Sequence, residues 1–581
     1  MVRYICVAWI IIGMINFLFV QGNAKNILEL PVIPKPQEAN FSNLNITLNI
    51  CTLRHTIIAN PAIKNEVIKL FDFYYNLTFN KKVICEKNNL KNQLKDATDF
   101  NIEIDLSSKI LIPDDFNTTY ENYTLDIQAN YILLKSLSYA GFVRGIETFS
   151  QLINPNTNDP KTYVIENGPI YIKDYPSYKV RGLMIDASRH FVPLEYFIPI
   201  LNGMMYTKLN ILHLHLSDDE SYTLSSIKYP NLTNYTTYEG NSSYSVNQMR
   251  ELIHFAQTRA VHIIPEFDNP AHIRALGNYP DFQPSVTCYD SYPIVKNPAG
   301  LNITIYGGAP GGNLDPTMDL TYNFMNNLIS DYFNIFNSSR YIHLGGDEVN
   351  YNCWDTRPSI KEYMKAHSIA NYNDMFSIYL SNIRANITKQ NASKVALYWA
   401  LDPSLQIKYR ETDILQFWGK STWIADLLKQ YPNNPAIIST YDFHYLDCGS
   451  GSCYGDGTTW CDPYKSWLMI YSFNLYKFVG NQSRVLGIIM PAWSEMINAD
   501  ALEQKLFPRG TALGEALWSN ITEVNDLVSI TTRIVKQTKR MRNWGVRSNA
   551  IGKQWCEEKP DICYAIYNKS KSILNEVSSP F

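Results

Sequence analysis

From residue 180 onward one pattern recurs eight times: a short apolar run, a polar or glycine-bearing end, then a stretch with helical spacing. The runs are VRGLMIDAS (180–188), ILHLHLSDD (211–219), VHIIPEFD (261–268), YIHLGGDE (341–348), KVALYWAL (394–401), DILQFW (413–418), AIISTY (436–441) and VLGIIMPAW (485–493). Strands that alternate with helices argue parallel pairing, because parallel neighbours need a crossover and a helix commonly supplies it. In one crossover, PLEYFIPILNGMMYTK, residues Leu194, Phe197, Ile198, Leu201 and Met205 recur at steps of three and four, which predicts a helix buried along that face. Eight such units over about 360 residues predict a (β/α)8 TIM barrel with long insertions after its third and seventh strands. A doubly wound open sheet is the rival reading.

A barrel gathers its chemistry where its strands end, on the C-terminal rim. Here the ends carry Asp186 and Arg189; Asp218 and Asp219; Glu266, Asp268 and His272; Asp347 and Glu348; Trp399; Trp418; Tyr445 and Asp447; and Trp493 with Glu495. Taken singly, each has a bland explanation: a solvated acid, a surface His or Arg, a core tryptophan. All eight ends being polar or aromatic points instead to one site. Several acids, one arginine and flat tryptophan walls suit a pyranose ring with its hydroxyls. Neither a phosphate-binding G-x-x-x-x-G-K-S/T nor a dinucleotide-binding G-x-G-x-x-G between strand and helix occurs.

The 581 residues carry a net charge of -3, with nothing basic enough to suggest a nucleic-acid partner. The opening MVRYICVAWIIIGMINFLFVQGNA has an early Arg3, an apolar centre and small residues at Gly22 and Ala24, which predicts a signal peptide over 1–22. A signal anchor is the rival, although the apolar run falls short of the ~20 residues that span a bilayer. Fifteen N-x-S/T sequons agree with secretion and glycosylation. Beyond Cys6 there are nine cysteines, and an oxidising compartment favours near-neighbour disulfides: Cys51 with Cys85, Cys288 with Cys353, Cys448 with Cys461, Cys556 with Cys563, leaving Cys453 over. A zinc site is disfavoured, since the C-x4-C-x7-C cluster has no fourth ligand at finger spacing. The expected layout is a signal peptide (1–22), a smaller α/β accessory domain (25–165), the barrel (175–545) and a tail (546–581).

RGLMIDASRHFVP, ILHLHLSDDESY, IIPEFDNPAH, HLGGDEV, YLDCG and AWSE, in this order, resemble the family 20 glycoside hydrolases, the β-N-acetylhexosaminidases. PVIPKPQ and GFVRGIETFSQLI in the accessory region extend the resemblance, and YLDCG followed by Trp460 and Cys461 is most similar to the arthropod-type members. The resemblance implies exo-acting release of terminal β-linked GlcNAc, or GalNAc, from oligosaccharides or glycoconjugates, with retention, through an oxazolinium ion made by the substrate's own acetamido oxygen. It implies no cofactor and no metal, a secretory protein that is extracellular or lysosomal, and a homodimer as a common assembly.

Carried over residue by residue, Glu348 is the general acid, protonated near neutral pH by acidic neighbours and partial burial, and Asp347 orients the acetamido N–H and stabilises the developing cation. Asp218 and His272 form a relay to Glu348. Trp399, Trp418 and Trp493 wall the acetamido pocket, Tyr445 bonds its carbonyl, and Arg189, Asp447 and Glu495 hold the 3-, 4- and 6-hydroxyls. Trp460 stacks on a second sugar. Asp347 and Glu348 are expected to end the fourth strand with side chains pointing apart, and Gly345 and Gly346 to let backbone and sugar approach. Ala271, where the family has glycine, is expected to tighten the turn before His272, and Pro491 to bend the last strand. A carbohydrate-binding pseudoenzyme and an interaction protein on an inherited barrel are the rivals.

Overall fold

All eight runs form parallel strands: Val180–Asp186, Ile211–His215, His262–Glu266, Tyr341–His343, Val395–Ala400, Ile414–Phe417, Ala436–Ile438 and Val485–Ala492. In the computed structural model they pair in sequence order and the eighth returns to the first, closing the barrel and excluding the open sheet. Nearly every strand residue is buried, as a sheet covered by helices outside and filled by side chains inside requires. The structure describes residues 30–560, 562 and 563, apart from 80–84, 86–96, 239–241, 291–293, 297–301, 305–310, 402–404, 452–457, 481–482 and 522–526. The expected leader, Cys453 and the sequons at Asn241, Asn481 and Asn568 lie outside the described residues.

Two local expectations change. The helix Leu194–Tyr206 buries Phe197, Ile200, Leu201, Met204 and Met205, while Ile198 is 41% exposed. Leu194 is half-buried against the core, so of the expected face only Ile198 is turned to solvent, a detail the run of apolar residues on both flanks concealed. Pro491 lies inside the eighth strand, whose pairing with the first continues to Ala492 without a register shift. Its carbonyl accepts from Leu446 N on the side where the seventh strand has already ended, so the missing N–H costs no ladder bond. The irregularity falls at Gly487 instead, whose φ is 146° and where a Cβ would sit 1.9 Å from the Val180 carbonyl oxygen.

Before the barrel, seven strands make a mixed sheet, ending with Thr162–Asp174 and so running past the expected edge at 165. The helix Tyr139–Leu152 is buried at every residue and carries the contact to the barrel. Its Arg144 reaches Glu121 at 2.8 Å and donates to the carbonyls of Leu209 and Ala260, and Arg181 of the first barrel strand meets the same Glu121 oxygen at 2.6 Å. Lys208 and Asp174 pair at 2.8 Å with neither side chain exposed. The helix Leu527–Asn543 adds Arg540 and Gln537 against Glu147 of the accessory helix. Disulfides join Cys51 to Cys85, Cys288 to Cys353, Cys448 to Cys461 and Cys556 to Cys563.

Candidate active site

The fourth strand stops at His343, so Asp347 and Glu348 stand in the loop beyond it and not on the strand. Gly345 and Gly346 make the turn, with φ of 62° and 92°. The room that Gly345 leaves is taken by Asp268: a Cβ there would lie 1.6 Å from Asp268 Oδ1, the atom that accepts from Gly346 N at 3.1 Å. Close approach is thus between turn and Asp268, in place of the expected approach to a sugar. Glu348 itself has φ 51° and His272 has φ 53°, conformations uncommon for residues with a Cβ and typical of sites held by their surroundings. The two acids are presented by this backbone reversal and not by strand alternation, and both approach His272. His272 reaches it directly after Ala271, which is itself buried.

Glu348 Oε2 lies 3.3 Å from His272 Nε2, and His272 Nδ1 lies 3.3 Å from Asp218 Oδ1. The structure therefore brings together the three relay residues. Burial works to strip the His272 proton, but Asp218 and Glu348 prevail and hold the imidazole well above its ordinary pKa. Asp218 is held well below the carboxylate range: Arg189 and His272 outweigh its burial. Glu348 differs from expectation. The hydrogen bond from His272 holds it below its usual value, and 42% of its side chain stays exposed. The upward shift belongs to its neighbour: burial, then the charges of Glu348 and Glu266, push Asp347 up to about 7 against the pull of His272. Both shifts favour a protonated His272 beside an ionised Glu348, across the 3.3 Å contact.

Around this pair the aromatic residues form an arc. Trp399 and Trp493 have ring centroids 5.8 Å apart, Tyr445 lies 6.4 Å from Trp493, and Trp460 lies 5.9 Å from Tyr445 and 6.3 Å from Trp418. Trp418 is buried, whereas Trp460 is 66% exposed at the outer end. Arg189 stacks on Trp493, its carbon 5.0 Å from the ring, and is clamped by Asp186 at 3.1 Å and Asp218 at 2.8 Å. Its Nε faces Glu495 at 3.6 Å and Glu220 at 3.9 Å. Burial and the nearby Glu495 push Asp447 up to about 8. Asp347 Oδ1, Asp447 Oδ1 and Trp418 Nε1 are buried without a hydrogen bond in the protein, two acceptors and a donor that a polar ligand would satisfy.

Sequence reasoning gave no role to Glu220, Glu266 or His215. Glu220 sits beside Arg189, and burial with the charge of Asp218 pushes it up to about 8. Glu266, His213 and His343 present ligand-type atoms within 4.8 Å of one another. The Glu266 oxygens are already engaged by His215, His343 and Trp399, so this donor set forms a hydrogen-bonded core and offers no open coordination position. The one signal, for His213 and His215 alone, was the alternation in HLH, which sends both to one face of their strand.

A closed β/α barrel whose rim joins paired acids to an aromatic pocket with unpartnered polar atoms fits a glycoside hydrolase. Residues 178–521 match "Glycosyl hydrolase family 20, catalytic domain", residues 32–152 match "beta-acetyl hexosaminidase like", and the chain belongs to glycosyl hydrolase family 20. It is 30% identical over 448 residues to "Beta-hexosaminidase subunit beta" of Mus musculus, covering 76% of this chain and 77% of that protein. It is 27% identical over 466 residues to "Chitooligosaccharidolytic beta-N-acetylglucosaminidase" of Bombyx mori, covering 78% and 75%. The fold is shared with the β-N-acetylhexosaminidase of Streptomyces coelicolor A3(2), at a TM-score of 0.66 and 21% identity over 90% of this chain and 98% of that one.

Proposed function

We infer that the protein is an exo-acting β-N-acetylhexosaminidase that removes terminal GlcNAc by retaining, substrate-assisted catalysis. The observation that carries this is the Asp218–His272–Glu348 chain ending beside Asp347, whose Oδ1 has no partner in the protein. A sugar seated over Trp493 and held by Arg189 would cover Glu348. Loss of water there disfavours its charge, and the proton moves from His272 to Glu348 and on to the leaving oxygen. The acetamido oxygen attacks the anomeric carbon as the glycosidic bond breaks, and ionised Asp347 accepts the acetamido N–H and offsets the positive charge of the oxazolinium. Trp399, Trp418 and Tyr445 would hold the acetamido group bent toward attack. Glu348, now ionised, takes a proton from the water that opens the ring.

Turnover of an aryl β-GlcNAc by the wild type and by Glu348→Gln tests the reading. Hydrolysis that the variant loses by on the order of 100-fold or more is expected for a general acid. Equal inactivity of both would favour the carbohydrate-binding pseudoenzyme. Competitive inhibition by a GlcNAc-thiazoline is expected as well, and active enzyme that ignores the thiazoline would point to a protein nucleophile. The exposed Trp460 favours a chito-oligosaccharide substrate, offering a flat face beyond the first sugar. Four disulfides agree with folding in the secretory pathway, and we carry extracellular or lysosomal residence as a proposal.

A further inference from the structure

Beneath the rim, the relay does not stop at Asp218. Its Oδ2 meets His215 Nε2 at 2.9 Å, and His215 Nδ1 meets Glu266 Oε2 at 2.6 Å. Carboxylate and imidazole thus alternate over five residues, Glu266, His215, Asp218, His272 and Glu348, contributed by three loops and two strands. The other oxygen of Glu266 accepts from Trp399 Nε1 at 2.6 Å and faces His343 Nδ1 at 3.0 Å. One fully buried carboxylate therefore touches the base of the proton chain with one oxygen and the tryptophan wall of the acetamido pocket with the other.

We propose that Glu266 is a positioning residue for both halves of the reaction: through His215 and Asp218 it keeps the proton on the His272–Glu348 pair, and through Trp399 it fixes the surface against which the acetamido group folds. The inference rests on the hexosaminidase reading above. Its charge is the active property. Burial alone would neutralise it, but His215, His343 and His213 hold it well below the usual carboxylate range. An ionised Glu266 holds His215 doubly protonated, with a donor on each ring nitrogen. That ring then donates to Asp218 Oδ2 and leaves Oδ1 aimed at His272. Without the negative charge, His215 gives up the Nδ1 proton and its positive charge; it still donates to Asp218 Oδ2, but Asp218 loses a neighbouring cation, holds the His272 proton more tightly, and hands it less readily to Glu348. The step itself is unchanged: one proton passes from Glu348 to the leaving oxygen, and Glu266 neither gives nor takes it.

Glu266→Gln keeps the shape and removes the charge, and it is tested on aryl β-GlcNAc substrates whose phenols span a range of acidity. A poor leaving group needs the proton and a good one does not. The expected result is a kcat that falls on the order of 10- to 100-fold for the least acidic phenols, falls much less for dinitrophenol, and leaves KM within about threefold, giving a steeper dependence of kcat on phenol acidity. Trp399→Phe, which removes the Nε1 bond together with part of the buried indole wall but leaves the His215–Asp218–His272 contacts in place, is expected to lower kcat equally for every phenol, reporting on the acetamido half. If Glu266→Gln is not recovered folded, His215→Gln carries the same leaving-group test. Loss by one common factor across all phenols would overturn the relay half while wild-type turnover and thiazoline inhibition left the hexosaminidase reading standing. A wild type that turns over none of the substrates would overturn both.

Discussion

The single residue that most shapes the site is Gly345, because its left-handed backbone and the Asp268 oxygen beside it both exclude a side chain. Gly345→Ala is expected to lower stability by about 1–3 kcal/mol in urea unfolding and to lower activity, since the displaced Asp268 also receives the Gly346 N–H. Gly346→Ala supplies the contrast: its nearest atoms would lie 3.5 Å away, so only the backbone conformation is penalised, at about 1–2 kcal/mol. The acids give a pH prediction. Asp347 titrates near 7 and must be ionised to face the oxazolinium, so kcat/KM of the free enzyme should fall as pH drops through about 7. On the alkaline side the relay keeps its proton, because His272 is held above its ordinary pKa. Asp347→Asn is expected to be slow and to lack the acidic limb, which a kcat/KM profile against pH reads directly. None of this was legible in HLGGDEV beyond the identity of the acids, because a left-handed φ at Glu348 has no signature in a residue with an ordinary side chain.

At the scale of elements, the eight strands could be read in advance for a physical reason: a barrel strand is covered on both faces and must be a short apolar run, and VLGIIMPAW or ILHLHL admit little else. The helix face was harder, because Ile198 continues the apolar spacing that Leu194, Phe197 and Leu201 use and yet is exposed. The contact between accessory sheet and barrel could not be read at all. Glu121, Arg144 and Arg181 look like ordinary charges in their own segments, and only the packed helix Tyr139–Leu152 brings them together without water. Such a buried group gives a sharp expectation. Glu121→Gln leaves two buried guanidinium groups without their counter-ion and should cost about 3–5 kcal/mol of unfolding free energy. Lys173→Ala, which removes an exposed pair with Glu38 at 2.9 Å, should leave the unfolding midpoint essentially unchanged in the same measurement.

Across the whole molecule, the site is a product of closure. Glu266 and Trp399 lie 133 residues apart in the chain and share a 2.6 Å hydrogen bond because the third and fifth strands flank the fourth around the ring. Motif by motif, the sequence marked most of the rim groups, since strand ends mark the rim; Glu266 was counted among them but lies buried beneath, and the imidazoles of His213, His215 and His343 read as strand interior. The long insertion after the seventh strand adds the outermost feature, Trp460, next to the Cys448–Cys461 disulfide and tilted at 55° against Tyr441, with ring centroids 4.9 Å apart. A ring left 66% exposed beside a buried tryptophan is placed to meet a second sugar. Trp460→Ala should therefore lower kcat/KM for a chitin trimer about five- to tenfold, the equivalent of about 1–1.5 kcal/mol of stacking. A β-GlcNAc azide, whose aglycone is too small to stack, should be hydrolysed as by the wild type. Parallel losses on both substrates would instead assign Trp460 to support of Tyr445 and Trp418, whose rings it touches edge-on.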